Sequence, residues 1–180
     1  GGTANAGVDL DTSARTMTVN VTSVNDAPVG TNNTVTTLED TDYTFTAADF
    51  GFTDPSDAAG AAGANALTAV KITAVPGAGT LKLSGVTVTA NQTVSVANIN
   101  AGNLKFTPAA NQNGAGYASF SFKVQDDGGT ANSGVDLDTT ARTMTVNVTS
   151  VNDAPVGTNK TVTTLEDTDY TFTAANFGFT

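Results

Sequence analysis

Along residues 142–151 apolar and polar side chains take turns: Met144, Val146 and Val148 alternate with Thr143, Thr145, Asn147 and Thr149. Only an extended strand puts two such sets on opposite faces. The same alternation marks Phe120, Phe122 and Val124 around Ser121 and Lys123, and Tyr43, Phe45 and Ala47 between threonines. Shorter runs that fit strands lie at residues 34–38, 67–74, 80–83, 86–89, 93–96 and 103–107. Turn signals separate them, notably Pro76-Gly77-Ala78-Gly79, Ser84-Gly85, Asn100-Ala101-Gly102 and residues 111–116. No stretch sustains a helical period, and the glycines of residues 58–65 favour a loop over a helical turn. Short strands at intervals of about 8–12 residues predict an all-β chain, an antiparallel Greek-key β-sandwich.

The pattern repeats. Residues 1–53 recur as residues 128–180 at an offset of 127, with differences only at Ala6/Ser133, Ser13/Thr140, Asn33/Lys160 and Asp49/Asn176. The chain is therefore read as a window on a tandem array. Proline lacks a ladder donor, so Asn25-Asp26-Ala27-Pro28 and its copy Asn152-Asp153-Ala154-Pro155 mark the boundaries. Residues 27–153 form one complete repeat. Residues 1–26 are the closing strands of a preceding repeat, and 154–180 the opening strands of a following one. Neither flank can bury a core alone. Their partners are expected to be neighbouring repeats of the same chain, or identical chains by strand swapping or filament packing.

Composition narrows the chemistry. Without His or Cys, a His general base, a thiol nucleophile, a Cys/His zinc site and disulfides are excluded. Seventeen acidic against seven basic residues give a net charge of −10, the wrong sign for gripping nucleic acid. No apolar run is long enough to insert into a membrane. Thirty-four threonines, with many valines, favour half-buried strands. Paired carboxylates raise the question of a glycosidase, but such a site needs a cleft with aromatics nearby, and the chain has no Trp. No enzyme is expected. Tyr43, Phe45, Phe106, Phe120 and Phe122 read as core; Phe50 and Phe52, near the N-terminal pole, fit either core or packing against the preceding repeat, and the pole-sealing role is favoured.

Five motifs occur in a set order: Leu38-Glu39-Asp40-Thr41; Thr53-Asp54-Pro55-Ser56-Asp57; Phe106-Thr107-Pro108-Ala109-Ala110-Asn111-Gln112-Asn113-Gly114; Phe120-Ser121-Phe122-Lys123-Val124-Gln125-Asp126-Asp127-Gly128; and Val151-Asn152-Asp153-Ala154-Pro155-Val156. The whole 127-residue unit resembles the cadherin-like, immunoglobulin-like tandem repeats of giant bacterial surface proteins, of the repeats-in-toxin adhesin and biofilm-associated types. The resemblance implies a calcium-stiffened β-sandwich rod at the bacterial cell surface, carrying an adhesive tip outward. One departure stands out. Many such repeats carry a denser Asp-x-Asp-x-Asp-Gly loop after the second strand, where this chain has only Asp54 and Asp57 before an Ala/Gly stretch.

The acidic residues fall in turns and at strand ends, hence at the two poles of a sandwich. A last strand that ends at the linker sets its partner running to the opposite pole. Asp126, Asp127, Asp136 and Asp138 then lie at the N-terminal pole beside Asn25-Asp26. Asp54 and Asp57 join them if strands one and two form a hairpin. Glu39 and Asp40 fall at the far end, nearer Asn152-Asp153. Such grouping suits Ca²⁺, which takes six to eight oxygen ligands, and close carboxylates repel unless a cation lies between them. The candidate ligands are Asp26, Glu39, Asp40, Asp54, Asp57, Asp126, Asp127 and Asp153. Asp and Gly also make good turns, and acidity alone keeps a surface polymer soluble. The expected function is a structural spacer of an extracellular rod, filament or adhesin stalk, with interdomain Ca²⁺. The alternative is a binding module contacting a glycan or protein through loops or sheet edges.

Overall fold

The computed structural model describes residues 2–60 and 63–179. Among the described residues, nine strands form two sheets. The five-stranded sheet takes the order β1 (Asn33–Leu38), β9 (Arg142–Thr149), β8 (Gly114–Asp126), β3 (Leu67–Ala74), β6 (Thr93–Ser95). The four-stranded sheet takes the order β2 (Tyr43–Thr44), β7 (Leu104–Thr107), β4 (Thr80–Leu83), β5 (Val86–Thr87). The chain is an all-β sandwich.

Alternation builds the core. Met144, Val146 and Val148 of β9 and Phe120, Phe122 and Val124 of β8 turn inward, while their threonine, serine and lysine neighbours face out. Phe45, Leu81, Leu104 and Phe106 meet them from the other sheet or its approaches. Phe45 stands edge-on to Phe120 at 5.5 Å and Phe50 edge-on to Phe122 at 5.0 Å between ring centres, the arrangement that ring quadrupoles favour. Burying one such ring contributes roughly 2–3 kcal/mol, so these contacts outweigh any single surface ion pair.

The structure corrects the sequence reading in four places. The sheet is not wholly antiparallel: β1 runs parallel to β9, with Asn33 beside Met144 and Leu38 beside Thr149. Strands one and two do not form a hairpin. They belong to opposite sheets, and the turn at Glu39–Asp42 carries the chain across the sandwich. Because the chain still reverses there, Asp54 and Asp57 reach the N-terminal pole as expected. Phe50 is not a pole-sealing residue but a fully buried core residue, and Phe52 packs half-buried against that core. Two short helices also appear, α1 (Pro55–Ala58) and α2 (Val96–Asn100). Proline fits the first turn of α1, where its missing N–H has no partner to lose. Ser95 caps α2 by accepting a hydrogen bond from the Asn98 N–H. Of the loop expected at 58–65, residues 61 and 62 lie outside the described residues.

Candidate functional site

Parallel pairing of the first and last strands has a geometric consequence. The chain enters at the pole where β8 ends and leaves at the pole where β8 begins. Each linker meets its own set of acidic residues.

At the entry pole the linker is held by side chains. Asn25 donates through Nδ2 to Asp126 Oδ1 at 3.1 Å, to the Gly129 carbonyl at 3.1 Å and to the Val135 carbonyl at 2.8 Å. The Asn65 amide donates in turn to Asn25 Oδ1 and, at 3.2 Å, to Asp57 Oδ2. The Asp26 backbone N–H donates to the same Asp57 oxygen at 2.9 Å. Asp54 Oδ2 accepts from the Asn65 N–H at 2.6 Å, and Asp127 Oδ1 from the Ala66 N–H at 2.7 Å. These bonds close a small cleft of about 140 Å³ lined by Ser23, Asn25, Asp57, Asn65 and Gly128. Gly128 is required there: a Cβ would stand 1.8 Å from Asn25 Oδ1.

Four carboxylates of this pole are almost wholly removed from water, Asp54, Asp57, Asp126 and Asp138, at 5, 4, 3 and 1% exposure. Two of them are incompletely satisfied. Asp54 Oδ1 and Asp126 Oδ2 are buried and accept no hydrogen bond. A buried carboxylate oxygen without a partner carries its full desolvation cost. The effect is visible on Asp126: burial raises its pKa, the charges of Asp54 and Asp136 raise it further, and hydrogen bonds from Gly128 and Asn25 offset only part.

Nearby Asp138 shows the opposite balance at 1% exposure. Burial again works to raise its pKa, but the Arg142 guanidinium and the Gly30 and Thr140 N–H groups overcome it, leaving the carboxyl below its ordinary value. Arg142 Nε lies 2.9 Å from Asp138 Oδ2, and the Gly30 N–H donates to that oxygen at 2.9 Å. Asp138 therefore pins the chain just before β1 to the start of β9.

At the exit pole Glu39, 5% exposed, does the equivalent work. Its Oε1 accepts from the Val151 N–H and its Oε2 from Asn113 Nδ2 at 2.8 Å, while its own N–H donates to the Thr149 carbonyl at 2.9 Å. Asp40 holds a left-handed turn (φ 58°) and accepts from the Asn111 N–H at 3.1 Å. Asp153 is exposed.

The eight expected ligands thus divide. Asp54, Asp57, Asp126 and Asp127 gather at the entry pole with the backbone of Asp26, whereas Glu39 and Asp40 stand at the exit pole. Among the described residues, no three Asp or Glu side chains form a group that could hold a metal ion. What the entry pole offers is narrower: two buried carboxylate oxygens without a hydrogen-bond partner, on Asp54 and Asp126, of the hard-oxygen type that cations such as Ca²⁺ take. Sequence reading missed Asn25 and Asn65 as the bridging amides. Asn25 sat in a boundary motif and was legible, but Asn65 follows an Ala/Gly stretch that gives no sign of where it returns.

Side-chain amides thus hold the chain where it enters the two-sheet sandwich, and a buried glutamate holds it where it leaves. The family model for the bacterial Ig domain matches residues 25–149. The chain belongs to that family. The match spans all nine strands of the bacterial Ig fold described above and starts at Asn25, the residue that ties the linker to the entry pole. Neither the curated proteins nor the solved structures hold a match to the chain. Bacterial Ig domains are typically non-enzymatic modules, structural or of the adhesin type, and are usually extracellular or surface-exposed. No helix among the described residues is long and apolar enough to cross a membrane.

Proposed function

We propose that residues 27–153 are one complete spacer module of an extracellular tandem-repeat rod or adhesin stalk, with 1–26 and 154–180 belonging to the modules on either side. The observation that carries this reading is the placement of chain entry and exit at opposite poles, fixed by the parallel β1–β9 pair and by buried side-chain bonds to each linker. Modules so connected extend end to end and do not fold back. Each adds about 35–45 Å, from a strand of about ten residues at ~3.4 Å per residue plus loops.

Calcium stiffening is part of the proposal. Asp54 and Asp126 would hold the ion through their unpartnered oxygens, with the Asn25 carboxamide supplying a ligand from the linker itself. The cation would neutralise carboxylates that the fold buries at a cost and would tie linker to pole. Asp57 and Asp127 would act around it by holding the Asp26 and Ala66 backbones. The exit pole, where Glu39 is already satisfied, needs no ion. The test is an array of several repeats, followed by small-angle scattering and thermal melting while calcium is chelated. A shorter, more flexible array with a lower melting temperature is expected. Unchanged length and melting would end the stiffened-rod reading.

A further inference from the structure

We propose that the outer face of the four-stranded sheet binds a carboxylated polysaccharide through a paired-lysine clamp, Lys82 with Lys105. The two residues lie directly opposite each other in the antiparallel β4–β7 ladder. Their neighbours in sequence, Leu81, Leu104 and Phe106, are buried, so alternation turns both lysines outward. The cross-strand row continues on each side: Thr44 of β2 is opposite Lys105, and Thr87 of β5 is opposite Lys82. Four strands thus present hydroxyl, ammonium, ammonium, hydroxyl in one line, at the ~4.8 Å spacing of neighbouring strands.

Like charges directly opposite in a ladder are destabilising. Neither lysine has an ion pair or hydrogen bond to offset that among the described residues. A chain with only seven basic residues against seventeen acidic ones nevertheless places two of them here. An anionic group bridging the two ammonium ions removes the repulsion and gains two charge-assisted hydrogen bonds. The pair lines a cleft of about 550 Å³ with Asp42, Ser84, Gly102 and Asn103. Asp42 is the one acidic group in that lining, so the cleft keeps a net positive charge.

The rest of the lining decides the chemical class. It is hydroxyl, carboxamide and backbone, without an aromatic ring or an apolar pocket. That surface suits a polyhydroxylated chain carrying carboxylates. It offers nothing to the apolar side chains of a peptide and no stacking platform for a neutral sugar.

This inference goes beyond the spacer reading and is tested without calcium, since polyuronates bind calcium themselves. The 180-residue chain in a chelating buffer is titrated with a short oligogalacturonate, with a neutral dextran oligosaccharide of equal length and with an oligoglutamate of equal charge. Isotope-labelled amide spectra give both affinity and location. The uronate is expected to shift amides around Lys82, Lys105 and Asn103. K82Q/K105Q is expected to weaken it by roughly tenfold, the loss of about two exposed charge contacts. K71Q/K123Q, which removes the lysine pair on the opposite sheet, is expected to leave it unchanged. Absence of uronate-dependent shifts overturns the proposal, as does equal binding by K82Q/K105Q. Oligoglutamate binding as tightly as the uronate overturns the polysaccharide assignment and points to an acidic protein partner instead. A failed titration would leave the calcium-dependent melting of the array untouched, so the two proposals fail separately.

Discussion

Residues 15–22 and 142–149 have the same sequence, Arg-Thr-Met-Thr-Val-Asn-Val-Thr, and two different fates. In β9 the three inward residues Met144, Val146 and Val148 are at most 3% exposed; their copies Met17, Val19 and Val21 are 76–90% exposed, and no strand forms. The alternation is identical, so alternation states which face a strand will bury and not that a strand exists. β9 exists because β8 and β1 supply ladder partners and the opposite sheet covers its apolar face. The copies of β1 and β2 at residues 160–165 and 170–171 also lack strand structure.

Local structure behaves differently. The tight turn at Asp40 (φ 58°) is kept at Asp167 (φ 58°), with Thr37 Oγ1 donating to the Thr41 carbonyl at 2.9 Å and Thr164 Oγ1 to that of Thr168 at 3.0 Å. The capped 3₁₀ turn Ala47–Phe50 is kept as Ala174–Phe177, although the capping Asp49 has become Asn176. The Asp138–Arg142 pair has its copy in Asp11–Arg15, 2.8 Å apart. Features whose partners lie within about six residues survive outside the sandwich. Features whose partners lie a hundred residues away do not.

The largest test of this contrast is Val146→Asp against Val19→Asp. Burying a carboxylate in the core should cost about 4 kcal/mol or more and unfold the module in chemical denaturation. The flank substitution should change stability by less than about 0.5 kcal/mol. Equal effects would mean that residues 15–22 occupy a sandwich slot, the signature of strand exchange between molecules.

Asp138→Asn against Asp11→Asn separates a buried ion pair from its exposed copy. Asp138 should cost about 3 kcal/mol, because Arg142 and two backbone donors lose a buried acceptor charge. The Asp11 change should be lost in the error of a melting curve.

A smaller effect, with a change of sign, is expected at Asp126. In chelator, Asp126→Asn should be neutral or stabilising by about 1 kcal/mol, since it removes a buried charge and keeps an acceptor for Asn25 and Gly128. In calcium the same change should destabilise. A substitution with one sign in both buffers would dissociate this carboxylate from any cation.

The smallest effect is on pH dependence. Asp126 has a raised pKa in the fold, so its contribution is present at low pH and lost as pH rises through that raised value. Asp138 is depressed, so its contribution is present above the ordinary carboxyl pKa of about 3.9 and lost as pH falls through its lowered value. In chelator, stability should therefore rise modestly as neutral solution is acidified and then fall once Asp138 protonates. Asp126→Asn should abolish the rise and keep the fall.

Much of the fold was legible because burial follows a period of two that needs no knowledge of partners. The positions proposed for β1, β3, β4, β7, β8 and β9 agree with the observed strands to within a few residues. The hairpin between strands one and two was misread because the turn at Glu39–Asp42 suits a hairpin and a sheet crossing equally well. Only the core decides which is adopted: Phe45 must reach Phe120 from the facing sheet. The acidic pole was legible in outline, since strand direction sorts Asp residues by end. Its wiring through Asn25 and Asn65 spans 101 and 40 residues in sequence, a distance across which no local pattern carries information.

The sequence by itself determined the repeat, the β class, the inward and outward faces, the tight turns and the acidic ends. These follow from composition, from period-two alternation and from hydrogen bonds between residues close in the chain. Tertiary structure alone decided that the first and last strands run parallel and that strands one and two lie in opposite sheets. It also left Asp54 and Asp126 each with an unpartnered oxygen and set Lys82 beside Lys105. Each of these depends on groups far apart in sequence, brought together by burial of a shared core and by the ladder and side-chain hydrogen bonds that form around it.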